Sequence, residues 1–156
     1  MSSKPVQFAV ADDAVLRHER MMAVPSIEHV RAGDQLIAII VSAAHNPNAT
    51  EFITSPELNL QFGFVKYPAG GRIQPHSHLP IERHTVGTNE ILLVRSGRVL
   101  VTLHDDRRQV VAERTLEEGE LLLMVSGGHG FEMLEDTIIM EVKQGPYMGV
   151  EEKERF

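Results

Sequence analysis

The stretch Glu90–Met133, EILLVRSGRVLVTLHDDRRQVVAERTLEEGELLLMVSGGHGFEM, decides the fold. It is a series of short apolar runs punctuated by turn residues. Glu90–Arg95 passes through Ser96-Gly97 into Arg98–His104, and Asp105–Arg108 leads into Gln109–Leu116. Glu120–Val125 then passes through Gly127-Gly128 into His129–Leu134. Runs of strand length separated by glycine and aspartate turns predict hairpins. The pattern extends outward in both directions. Thr137–Lys143 follows as another strand. Upstream lie Gln61–Tyr67, the turn Pro68–Gly71 and an extended Arg72–His78, and earlier still Leu36–Ser42 before the turn-rich His45–Thr50. Strands at this spacing predict an all-β sandwich or barrel. Asp12–Met22, acidic at its start, predicts a short helix. We divide the chain into an N-terminal extension over 1–35, a barrel over 36–145 and a charged surface tail over 146–156, all one domain, with no internal repeat or low-complexity linker.

Composition narrows the function. A chain of 156 residues, 42% hydrophobic and 24% charged, is the size and make-up of a globular domain with one core. The net charge of −7 repels phosphate backbones, so no nucleic-acid partner is expected. The absence of cysteine excludes disulfides, thiolate nucleophiles and zinc ribbons, and favours a cytoplasmic location. The opening MSSKPVQFAVADD has neither the basic segment nor the apolar run of a signal peptide. Leu36–Val41 and Leu121–Val125 are too short to span a bilayer, and no membrane partner is expected.

Glu90–Arg95 and Glu120–Val125 carry continuous apolar residues where a half-exposed strand would alternate, so both their faces should be covered. One face looks into the core. For the other we expect the N-terminal segment or a second subunit as cover, and hence a homodimer.

The chemistry concentrates in Gly70–Gly97, GGRIQPHSHLPIERHTVGTNEILLVRSG. Residues two apart on a strand share a face, so His76 and His78 can reach one point, and Arg72 and Gln74 fall on the same side. By itself an H-x-H pair is as readily two solvent-facing histidines. Its surroundings favour a site, because Gly70 precedes His76 by six residues, Glu90 precedes Gly97 by seven, and His129 follows a glycine turn downstream.

These spacings resemble the two motifs of the cupin superfamily. The first would be matched by Gly70, His76, His78, Glu90 and Gly97, the second by Gly119-ELLLM-VSGG-His129-GFEM. The resemblance covers Leu60 to Lys143. It implies a double-stranded β-helix, the jelly-roll barrel, holding one divalent transition-metal ion (iron, manganese, nickel or zinc) on His76, His78, Glu90 and His129. The family's glutamate usually follows the second histidine after three or four residues, where this chain has Glu82. Glu90 is preferred because EILLVRSG reads as the strand that opens with that glutamate. The second motif has Val125 where the family has proline, and is one residue shorter before His129. Three imidazoles and one carboxylate leave up to two octahedral positions for water, oxygen or substrate.

The insert Leu79–Asn89 should lie at the barrel mouth. There Glu82 and His84 are candidates for acid–base catalysis and Arg83 for binding an anionic group, the alternative being a solvated loop of mutually paired charges. Arg72 and Gln74 are candidates for binding substrate within the cavity, or for a buried polar pair. Lys66 shares a face with Phe62 and Phe64. Phe131 and Met133 share parity with His129 and should line an apolar wall, with Phe131 a substrate contact; Glu132 should point away. His18, His29, His45 and His104 read as surface or turn residues. VSGGHGFEMLEDT with EVKQGPY is similar to small uncharacterised bacterial cupins of surface-polysaccharide sugar pathways. That similarity favours a metal-dependent enzyme acting on a sugar or sugar nucleotide by oxygenation or isomerisation. The alternatives are a non-enzymatic module that binds or senses a small molecule and, last, a metal-free epimerase.

Overall fold

A computed structural model describes residues 25–147 and 149–156. The expected helix over Asp12–Met22, and His18 with it, lies outside the described residues. Ten strands follow in chain order: β1 (Ile27–Ala32), β2 (Gln35–Val41), β3 (Glu51–Phe52), β4 (Gly63–Phe64), β5 (Glu90–Ser96), β6 (Arg98–His104), β7 (Val110–Glu117), β8 (Leu121–Met124), β9 (Gly128–Met133) and β10 (Ile138–Lys143). A 3₁₀ turn spans Gly149–Glu152, and the described residues contain no α-helix. No helix among them is long and apolar enough to cross a membrane.

Every pairing is antiparallel. One sheet has the order β1-β2-β8-β5-β10, a second β7-β6-β9, and β3 pairs with β4 alone. The two larger sheets face one another across a shared core, an arrangement compatible with a β-sandwich. Ile37, Leu92, Val94, Leu122 and Met124 come from the first sheet, and Val99, Val101, Leu103 and Leu116 from the second. The alternation of β6, buried at Val99, Val101 and Leu103, makes it half-buried, with only one face on the core. Burying each such aliphatic side chain contributes roughly 1.5–3 kcal/mol.

The run LLLM of β8 is covered on both sides, as its composition requires. Leu122 and Met124 enter the shared core, whereas Leu121 and Leu123 point outward. Part of the cover is neither the N-terminal segment nor a second subunit. Ile53, Leu60, Phe62 and Phe64, from β3, β4 and their connection, pack over Ile39, Val41 and Leu123. Farther along the same face, Ile138, Met140 and Val142 of β10 are exposed. His45 helps hold the β3 end in place, its ring nitrogens 2.7 Å from Glu51 Oε1 and 3.1 Å from Ser26 Oγ.

Two expected strands differ. Gln61–Tyr67 contracts to β4, and Arg72–His78 joins no ladder; every residue from 65 to 88 is exposed. Pro68, Pro75 and Pro80 interrupt this stretch and have no N–H to give to a neighbouring strand. The turn at Pro68–Gly71 forms, with Gly71 N–H donating to Pro68 O at 2.9 Å.

Gly127 turns the chain between β8 and β9 at φ +70°, and a Cβ there would collide with the His104 carbonyl oxygen. Gly33, at φ +60°, has open space around its missing Cβ. Gly33→Ala should therefore cost about 1 kcal/mol, the left-handed penalty alone. Gly127→Ala should cost about 3 kcal/mol, because the β8–β9 turn must also move. Urea denaturation of the two variants checks the difference.

Candidate functional site

Glu90 and His129 are far apart in sequence and on different sheets, yet their side chains meet. Glu90 opens β5 and His129 lies near the start of β9; Glu90 Oε2 is 3.2 Å from His129 Nε2. The backbone dictates this approach. Glu90 is opposite Met124 of β8 and Lys143 of β10, which fixes it at the edge of the core, where it is only 7% exposed. Asn89 pins the same corner. Its amide donates to the Val125 carbonyl at 2.9 Å and to that of Met124 at 3.3 Å, and its backbone N–H donates to Gln144 Oε1 at 2.8 Å. His129 is opposite Leu103, which turns β9 toward the same end of the molecule.

A buried carboxylate needs compensating charge. Lys143 Nζ lies 3.7 Å from Glu90 Oε1 and 3.0 Å from Glu141 Oε1. The Glu141 hydrogen bond holds the Lys143 ammonium above its ordinary value, so it stays charged beside Glu90. His129 responds in the opposite direction. Burial pushes its imidazole below the ordinary value, outweighing the upward pull of the Glu90 charge; Lys153 and His104 lower it further, while Glu141 raises it. The outcome is a neutral imidazole beside a buried carboxylate, a pair able to ligate a cation or move a proton.

The pair opens into a cavity of about 1210 Å³. Leu92, Met124, Phe131 and Ile139 give it apolar lining, and Phe131 packs against His129 with ring centroids 5.1 Å apart. Phe131 thus takes the expected place; Met133 is exposed beyond the end of that wall, and Glu132 is exposed. The cavity also holds His104, where the sequence predicts a surface or turn residue. His104 ends β6 opposite Gly128, one position from His129, and its Nδ1 is buried without a hydrogen-bond partner. Only the pairing register reveals this neighbour, because the sequence around His104 carries no motif.

The other sequence candidates lie elsewhere. His76 and His78 sit close together, ring centroids 5.2 Å apart, on the exposed 65–88 stretch, and His76 Nδ1 lies 2.9 Å from the Gln74 carbonyl oxygen. Arg72 and Gln74, expected to point inward, are exposed there, as are Glu82, Arg83 and His84; none of these seven lines the cavity. The missing ladder explains this, since the shared-face argument needs strand pairing. Lys66 does not line the cavity and donates to Pro47 O at 2.6 Å. Of the four donors the cupin resemblance implies, Glu90 and His129 come together and His76 and His78 form a separate pair. Among the described residues no three His, Asp or Glu side chains are grouped to hold an ion.

Because burial dominates, His129 should titrate below about 6.5, the ordinary imidazole value. The fold should then lose stability as pH falls from about 6.5 through that lower value, since the unfolded chain takes up the proton first. Glu90→Gln should depress the His129 value further by removing the charge that raises it. Histidine ¹H–¹⁵N NMR titration of both proteins measures the two values.

Comparison with family models, with curated proteins and with solved structures finds no match to this chain.

Proposed function

We propose that this chain is a cupin-type jelly roll whose working site is the Glu90–His129 cavity, and that the cavity takes a divalent transition-metal ion with a small polar substrate. A sugar or sugar nucleotide is favoured, with oxygenation or isomerisation as the reaction. The observation that carries the reading is the meeting of Glu90 and His129, from separate sheets, in a cavity with an apolar wall. Carboxylate and neutral imidazole are the donors a first-row divalent ion prefers, and these two are the donors contributed by strands of the paired core.

His76 and His78 would complete the donor set from the 65–88 stretch, which runs into Glu90. In the described structure they stay on the exposed 65–88 stretch, outside the cavity lining. What the chain's own residues can do is narrower. Glu90 holds negative charge at a fixed point, and His129, kept neutral by burial, can accept a proton there. Phe131, Leu92 and Ile139 exclude water from one side of a bound molecule, and Lys143 sets a positive charge beside Glu90. Glu82 and His84 remain the proposed acid–base groups, and Arg72, Gln74 and Arg83 the proposed substrate contacts, once that stretch closes on the cavity. A non-enzymatic binding or sensing module is the second reading, favoured by the incomplete donor set. We further propose a cytoplasmic homodimer, with the exposed Ile138, Met140 and Val142 face of β10 at the contact.

Metal loading followed by elemental analysis tests the site. The wild type should hold one equivalent of ion, and Glu90→Ala and His129→Ala should each weaken retention at least about tenfold. His76→Ala should do the same if its stretch closes. Undiminished metal in both Glu90→Ala and His129→Ala would remove the site. Turnover of sugar nucleotides by the loaded protein, with and without oxygen, separates oxygenase from isomerase; binding without turnover favours the second reading.

A further inference from the structure

The segment Gly149–Phe156 reads in sequence as a charged surface tail, but it lies across the mouth of the Glu90–His129 cavity. Lys153, Glu154, Arg155 and Phe156 form part of the lining. Phe156 stands edge-on against His104, ring centroids 5.1 Å apart and planes at 89°. It also packs over Gly128, the residue before His129, where a Cβ would come within 2.8 Å of the ring.

Arg108, also part of the lining, anchors the segment. Its guanidinium lies 5.2 Å from the Phe156 ring centroid, and its Nη2 pairs with Glu154 Oε1. The β6–β7 turn presents Arg108 for this. Asp105 Oδ1 accepts the N–H groups of Arg107 and Gln109, each at 2.9 Å, and Arg108 itself takes φ +64°, the one positive value at a non-glycine residue among those described. A strained, hydrogen-bonded turn that directs one cation at both a ring and a carboxylate of the same segment is a latch.

The latch is weak by design of its surroundings. Phe156 is 63% exposed, and the Arg108 and Glu154 side chains are 49% and 79% exposed, so water competes for the contacts Arg108 makes. The segment pairs with no strand. It can therefore leave without disturbing either sheet.

We infer that Gly149–Phe156 is a strap that closes the Glu90–His129 cavity, latched by Arg108 on Glu154 and Phe156, and that it swings out to admit a ligand. The inference rests on the proposed function only in naming what the strap guards; the closure itself does not depend on a metal or a reaction.

Carbethoxylation of the metal-free full chain with diethylpyrocarbonate, mapped residue by residue by mass spectrometry, reads the closure directly. Phe156→Ala and Glu154→Gln should each speed modification of His129 at least threefold, while the exposed His76 keeps its rate. His45, held between Ser26 and Glu51 outside the cavity, reports folding and should also keep its rate. Glu154→Gln changes one exposed group and leaves the core intact, so it serves even if the phenylalanine variant loosens the fold. An unchanged His129 rate in Glu154→Gln and in Phe156→Ala, with His45 still protected, would overturn the strap. Because the assay contains no metal, its failure leaves the metal reading intact, and absence of metal binding leaves the strap intact.

Discussion

Glu90 is a carboxylate at 7% exposure where the two sheets approach, and much of the surrounding structure offsets the cost of burying it. Lys143 reaches it from β10 and His129 from β9, while Asn89 fixes the start of its strand to the end of β8. The pairing of β5 with β8 and β10 fixes the backbone that carries the carboxylate. The same pairing creates the apolar wall beside it, because Leu92 and Met124 face inward along with the carboxylate. Sheet register and site are thus one constraint viewed at two scales.

The strands that carry this register were legible in the chain. Glycine and aspartate turns divided Glu90–Lys143 into six runs, and six strands occupy them with ends shifted by a residue or two. Glu120–Val125 announces a strand covered on both faces, and β8 within it is. What covers the outer face was not legible. Ile53, Leu60, Phe62 and Phe64 come from a stretch whose strands are two residues long, too short for periodicity to register. β1 escaped for a related reason, since IEHVRA mixes polar and apolar residues and gains its strand character from pairing with β2.

The site was legible in halves. Glu90 was preferred over Glu82 because of the strand it opens, and it is Glu90 that lies beside His129. The H-x-H half rested on strand parity over Arg72–His78, and three nearby prolines leave that stretch without a ladder. His104 had no motif to mark it and enters the cavity only through its register with Gly128. The Gly149–Phe156 segment was read correctly as charged, but charge alone does not reveal that Arg108 would gather it across the cavity. In each miss, the deciding contact joins residues that are distant in sequence.

Glu90 and His129 are proposed to mark the place where a divalent cation binds. Paramagnetic broadening by substoichiometric Mn²⁺, followed across the backbone amide spectrum, locates a bound ion without assuming its ligands. Selective loss of the resonances of Glu90, Leu103, His104 and Gly128–Gly130 is expected, abolished in Glu90→Ala. Broadening centred elsewhere, or uniform across the chain, would contradict it.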